Sequence, residues 1–302
     1  MSLIQARGLV KKFDGFVAVG GIDFDIQEGE CFGFLGPNGA GKTSTMRMIY
    51  GASPITTGEI WVDGKDVRRN PREIKAIVGV VPQDNNLDSD LSVIQNLLVY
   101  ARYFSVSGSL ARERARQALD LFQLWDRRDS HTESLSSGMK RRLVIARGLI
   151  NEPKVLILDE PTTGLDPQAR HLVWQKLRYF KSEGVTQVLT THYMDEAAHL
   201  CDRLAIMDHG KILVEGSPAE LVSRHVGEEV LELFPRQEDV PPTVTWLQDR
   251  GMKVEVVEDA LYVFGAGGNS IPQPPGNFEK VVRRRASLED VFLRLTGRAL
   301  QE

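Results

Sequence analysis

Cysteine is almost absent. Cys31 and Cys201 are the 2 in 302 residues, far apart and without a CxxC partner. That leaves no disulfide framework, and it fits a reducing compartment holding two core or surface thiols. No apolar run approaches the ~18 residues needed to span a bilayer. The opening, Met1 to Arg7, lacks the long apolar core of a signal peptide. Any membrane role is therefore expected to come through a partner. Positive charge is not in excess either: 37 Lys and Arg against 41 Asp and Glu leave a net charge of −4. Nucleic-acid binding, which usually leaves a basic domain, has no electrostatic case. What is present is ordinary for a soluble globular protein, with 42% hydrophobic and 26% charged residues. The length suits one large α/β domain plus a smaller appendage.

Against that background one stretch stands out. Gly36-Pro37-Asn38-Gly39-Ala40-Gly41-Lys42-Thr43 fits the phosphate-loop pattern G-x-x-x-x-G-K-[ST] at every fixed position. Cys31 to Leu35 before it reads as a buried strand, and Ser44 to Tyr50 after it as the start of a helix. A glycine loop between strand and helix offers backbone N–H groups to a phosphate, and the helix dipole adds roughly half a positive charge. Lys42 would reach the β- and γ-phosphates, and the Thr43 hydroxyl would ligate Mg²⁺. This stretch predicts nucleoside triphosphate binding.

Other stretches supply chemistry for the same rim. Val155 to Leu158 is a continuous apolar run closing in Asp159-Glu160, hence a central parallel strand with two acids at its carboxyl end. Asp159 there can hold the Mg²⁺ shell, and Glu160 can polarise a water for in-line attack. Gln187 to Thr191 is a further buried strand ending in His192. Ala76 to Val81 reads as a strand closing at Pro82-Gln83, where Gln83 could face a ligand. Phe13, in a turn some two dozen residues before the phosphate loop, is equally suited to stacking on a purine and to a small-sheet core. Leu91 to Trp125 carries helical periodicity, broken over Ser105 to Ser109. Leu135-Ser136-Ser137-Gly138 opens another helix whose hydroxyls and free N–H groups could take an anion or simply cap it. The following Lys140-Arg141-Arg142 reads as a solvated helix face.

In this order the pieces resemble the nucleotide-binding subunits of ABC transporters, over roughly Leu3 to Leu221. The choice among phosphate-loop families comes from Leu135 to Arg142, which is similar to the family's LSGGQ signature and precedes the Asp159-Glu160 strand. Gln83, Asp166 and His192 match the Q-loop, D-loop and switch histidine in order and spacing. The resemblance implies an α/β P-loop fold with a RecA-like core sheet, an antiparallel β subdomain and a helical subdomain at about 84–150. It implies that Phe13 stacks on adenine, that Gly36, Pro37, Asn38, Gly39, Ala40, Gly41, Lys42, Thr43 and Ser44 bind the phosphates of ATP, and that Thr43, Gln83 and, through water, Asp159 serve Mg²⁺. It also implies Glu160 as catalytic base, with His192 and Lys42 stabilising the transition state. Ser136, Gly138 and Asp166 would act in trans, on ATP bound to a second copy in a head-to-tail dimer.

Two positions depart from the family pattern: Ser137 stands for a glycine and Met139 for a glutamine. Were position 137 to need φ > 0, serine would cost on the order of 1 kcal/mol or more. Met139-Lys140-Arg141-Arg142 is similar to the variant of ABC-2-type exporters, whose drug-resistance and nodulation-factor branches share Thr162 to Pro167. The ending Ser287-Leu288-Glu289-Asp290-Val291-Phe292 is similar to that branch as well. The implied partner is a separate ABC-2-type membrane permease, with this chain peripheral on the cytoplasmic face of the membrane and its Asp84 to Tyr103 segment receiving the permease. Importer ATPases and soluble non-transport ABC ATPases are the rival readings, the latter usually marked by coiled coils, zinc insertions or paired cassettes that are not visible here. The ATP-binding domain is expected over 1–226 and a small α/β accessory domain over 227–302. In the latter, strands fall at Val230 to Phe234, Lys253 to Val257 and Leu261 to Phe264, with a Gly/Pro-rich loop at Ala266 to Asn277. Arg283-Arg284-Arg285 reads as a solvated charge run.

Overall fold

The computed structural model describes residues 2–265 and 274–297. Its first hairpin pairs β1 (Ser2–Phe13) with β2 (Phe16–Gln27) around Asp14-Gly15, both at positive φ as a two-residue turn requires. Phe13 is thus the last residue of a strand, paired with Phe16, rather than part of the turn. The chain then runs through β3 (Cys31–Leu35), α1 (Lys42–Ile49), β4 (Thr57–Val62), β5 (Lys65–Asp66), α2 (Pro71–Ile77) and β6 (Val78–Val81). Next come α3 (Val93–Tyr103), α4 (Gly108–Leu121), α5 (Ser137–Gly148), β7 (Val155–Asp159), α6 (Pro167–Ser182), β8 (Thr186–Thr191) and α7 (Met194–Leu200). Then follow β9 (Arg203–Asp208), β10 (Lys211–Gly216) and α8 (Pro218–His225). The last elements are β11 (Glu229–Pro235), α9 (Val240–Gln248), β12 (Lys253–Val257), β13 (Ala260–Phe264), β14 (Phe278–Arg285) and α10 (Leu288–Thr296).

The unbroken apolar runs become the interior of a six-stranded sheet ordered β10-β9-β3-β8-β7-β6. Strands β9, β3, β8, β7 and β6 are mutually parallel, and every residue of β3, β7 and β8 is buried. A sheet covered on both faces buries every position, so β3 and β7 read as apolar runs without alternation, while β8 buries Thr186, Gln187, Thr190 and Thr191 as well. Sheet β2-β1-β4-β5 is antiparallel, and its apolar side joins α1 and one face of the core sheet through Ile4, Phe24, Phe32, Met46 and Ile60. Helices α3, α4 and α5 pack together around Leu97, Ala115, Leu119 and Leu143. The break between α3 and α4 falls as expected, with Ser105 at positive φ. One expectation is revised: Ala76 and Ile77 finish α2, which Pro71 opens, so the strand begins only at Val78. An apolar run beside a helix carries no periodicity that could place that boundary.

From Glu229 onward a third sheet forms, ordered β12-β13-β11-β14. One of its faces packs on α9 through Leu231, Leu233, Leu247, Leu261 and Val263. Val230 and Phe264, from the other face, join Leu288, Val291 and Phe292 of α10 in the larger core shared with α7 and α8. The Gly/Pro-rich loop expected at 266–277 lies, for 266–273, outside the described residues. The arginine run is exposed at Arg283 and Arg285, as expected, but not at Arg284. Along β14 the side chains alternate, so Arg283 pairs with Glu229 while Arg284 turns inward to Glu232 and to Asp290, which is 1% exposed. Strand periodicity explains why three adjacent cations part company.

Candidate functional site

The parallel register brings the functional loops to one rim. Leu35 pairs with Thr191, Asp159 with Thr190 and Val81 with Leu158, so β3, β8, β7 and β6 end side by side. Gly36 leaves β3 where a Cβ would stand 2.1 Å from the Met207 carbonyl oxygen, which admits only glycine. Gly41, the N-cap of α1, has φ +100 and lies under the Ala18 carbonyl. Between them Lys42 folds back over the loop. Its Nζ donates to the carbonyls of Gly36 at 2.7 Å and Pro37 at 3.0 Å and lies 3.9 Å from Glu160 Oε1. Burial pushes the ammonium below its usual range, while Glu160 and Asp159 pull it back. Phe13, Asn38, Gly39, Ala40, Gly41, Lys42, Thr43, Ser44, Gln83 and Glu160 line one cleft of about 330 Å³. Phe16, 63% exposed, lines it too and was not foreseen. The signal for it was an apolar residue facing Phe13 across an Asp-Gly turn.

At the base of the cleft the carboxylates are held differently. Asp159 Oδ1 accepts from the Thr43 hydroxyl at 2.9 Å and from Thr190. These are hard oxygen donors from three elements, the type that Mg²⁺ takes. Glu160 sits at φ +47, a conformation costing a non-glycine residue on the order of 1–3 kcal/mol. Its N–H donates to the Thr190 carbonyl, and its Oε2 accepts from the Gln83 amide at 3.2 Å and the Thr163 hydroxyl at 3.1 Å. His192 Nδ1 lies 3.3 Å from Glu160 Oε1 but is not aligned for a hydrogen bond, and its ring packs on Tyr193. The structure thus gathers Lys42, Thr43, Gln83, Asp159, Glu160 and His192 within one chain.

Ser136, Gly138 and Asp166 are elsewhere. They line a second cleft with Arg142, Gln168 and Arg178. Ser136 and Asp166 are the N-caps of α5 and α6, accepting from Met139 N–H and Ala169 N–H at 3.3 and 2.8 Å. The departure at 137 does no harm locally. Ser137 is the first helical residue, not a positive-φ site, so serine bears no strain there.

The reading of Lys140-Arg141-Arg142 as a solvated face is corrected at its centre: Arg141 is 2% exposed. It follows Gly138 by three residues and precedes Val144 by three, on the buried side of α5. That spacing was the available signal. Its guanidinium reaches backbone carbonyls in the loops after β6 and β7. Glu196 of α7 was missed altogether. Fully buried, it accepts from the Thr162 hydroxyl at 2.6 Å and the Trp174 indole at 3.2 Å. Burial pushes its carboxyl above the usual range, against those donors and the charge of Arg170. A carboxyl raised on folding stabilises most where both folded and unfolded states are protonated, and that stability is lost as pH rises through the folded value. Glu196→Gln should therefore gain on the parent as pH rises above the ordinary glutamate range in thermal melts, a gap constant with pH refuting this. Glu196→Ala, which strands both donors, should lose on the order of 2–3 kcal/mol.

A phosphate loop, two acids and a polar rim on a parallel sheet, with a helical insertion carrying a second cleft, define a P-loop nucleotide-binding protein. The family described as ABC transporter matches residues 19–163. Nod factor export ATP-binding protein I of Rhizobium sp. (strain N33) is 43% identical over 304 residues, 99% of this chain and 98% of its own length. The protein of the same description from Ralstonia nicotianae is 40% identical over 314 residues, covering 99% and 95%. Among solved structures, a Clostridium perfringens protein described as part of an ABC transporter complex is 30% identical, covers 82% of this chain and 96% of its own, and has a TM-score of 0.68. A dimeric ATP-binding cassette in a post-hydrolysis state bound to ADP and Pi is 25% identical, covers 71% and 98%, and has a TM-score of 0.65. The chain belongs to the ABC transporter family, as an ATP-binding ATPase subunit. Among the described residues no helix is long and apolar enough to cross a membrane.

Proposed function

We propose that this chain powers export through a separate ABC-2-type permease, as a head-to-tail pair closing over two ATP. The observation that carries this is the division of the site. Lys42 and Glu160 line one cleft, Ser136, Gly138 and Asp166 another, and neither holds the full set. Facing two copies head to tail sets each signature cleft against the other's phosphate loop. Phe13 and Phe16 would receive the adenine, and the loop N–H groups with Lys42 the phosphates. Thr43 and Asp159, with Gln83 near them, would hold Mg²⁺, which supplies neutralisation of the phosphate charge. Glu160 then takes a proton from the attacking water, and His192 stabilises charge at the γ-phosphate. Once the phosphate is cleaved, the bridge between copies is lost and the pair opens.

Export is supported by the Met139 variant and by full-length identity to relatives named for Nod factor export, which extends through 227–302, the proposed accessory domain after an ATP-binding domain at 1–226. On this reading the chain sits at the cytoplasmic face of the membrane through its permease, which docks beside Gln83 over 84–103. Asp90 is the cleaner surface charge to test, because the Asp88 carboxylate already accepts Asp90's N–H. With the permease in vesicles, Asp90→Lys should lower transport about tenfold or more with ATP turnover retained, as rim-charge reversal weakens docking. Unchanged transport would sink that docking site, and nucleotide-driven movement of substrate by the parent toward the face that carries the ATPase would sink export.

A further inference from the structure

We propose that Arg141 is a positioning residue that carries the placement of the signature helix into the hydrolytic loops of its own chain. The inference rests on the paired reading above. A guanidinium has five N–H donors in a rigid fork, and in Arg141 they meet backbone carbonyls from two loops. Nε donates to Pro161 at 2.7 Å, Nη2 to Asp159 and Glu160 at 2.9 Å each, and Nη1 to Gln83 at 3.1 Å and to Pro82. Among the described residues no carboxylate comes within ion-pair distance of it, so its placement is set by carbonyl directions rather than by a counter-ion. Burial pushes the guanidinium down to about 10, offset by Glu196, Asp159, Glu160 and Asp84, and it stays cationic at neutral pH.

The loops so held are the ones that carry the chemistry. Glu160 is in a strained backbone conformation whose carbonyl points at Arg141, while its carboxylate takes the Gln83 amide. Such strain persists only where its surroundings over-determine it. Arg141 lies five residues after Ser136 on one rigid helix, so movement of that helix end on engaging the partner's nucleotide would move the fork and, with it, Glu160 and Gln83. A lysine could keep the charge but only three donors around one point.

The test uses the full chain with R141M and R141K, reading steady-state ATPase, ATP affinity with a fluorescent ATP analogue, and thermal melting. R141M should lose about 100-fold in kcat and R141K about tenfold, with KM and ATP affinity near the parent at a temperature where thermal melting shows each variant folded, as expected for a displaced catalytic group. A kcat within about threefold of the parent, or an equal loss in ATP affinity, would overturn the proposal. Should R141M fail to fold, the same split in R141K decides. The link between sites is read by a cycle with S136A: sub-additive losses with R141K support it, and additive losses overturn it. ATP-dependent dimerisation of E160Q is measured beside these. A monomeric E160Q with ATP would remove the pairing, whereas a dimeric E160Q with additive losses would remove Arg141's part alone.

Discussion

Glu160→Gln is expected to lower ATP turnover by about 10²–10⁴-fold, the range lost with a general base, while leaving ATP binding intact. The carboxylate is 6% exposed and faces Lys42, His192, Gln83 and Thr163. An amide has the same shape and keeps one oxygen for these donors, so the cleft should survive. What it loses is the ability to take a proton from water. With hydrolysis blocked, the bridge between copies persists, and the variant should run as a dimer with ATP and a monomer without it in light scattering. Turnover within about tenfold of the parent would overturn the base assignment.

The second large effect is on binding. Among the described residues lining the phosphate-loop cleft, Lys42 is the only cation. Its Nζ is already desolvated and fixed by two carbonyls, so it can meet a phosphate with little further ordering. Charge-assisted contacts of this kind contribute about 1.5–3 kcal/mol, so Lys42→Ala should weaken ATP binding by roughly 10- to 150-fold. Hydrolysis should fall further, since the same charge would meet the developing charge in the transition state. Folding should change little, because removing the buried ammonium also removes its desolvation. ATP affinity within about threefold of the parent would exclude Lys42 as a phosphate ligand.

Much of this site is legible without coordinates. The phosphate loop, the two acids after an apolar run, and the ends of the buried strands are local patterns, each written within a few consecutive residues. The helix start at Ser136 is local as well, because a cap satisfies backbone donors two or three residues away. The resemblance to the family follows from the order of these local patterns. Position 137 could be judged only in part, since whether it needed positive φ depended on where α5 began.

What the amino-acid sequence determined by itself, then, is which groups the protein carries for nucleotide chemistry and on which element each stands. The tertiary structure alone decided who their partners are. Arg141 and Arg284 each sit in a run of basic residues that reads as solvated, yet both turn inward. Arg141 meets carbonyls 18 to 59 residues away, and Arg284 meets Glu232 from 52 residues away. Glu196 is buried by helices and loops distant in the chain, and the two clefts are separated only once α5 and α6 pack. The physical reason is common to all of these. Desolvating a charge is costly unless fixed dipoles or counter-charges replace the lost water, and those replacements come from segments that local sequence does not bring together.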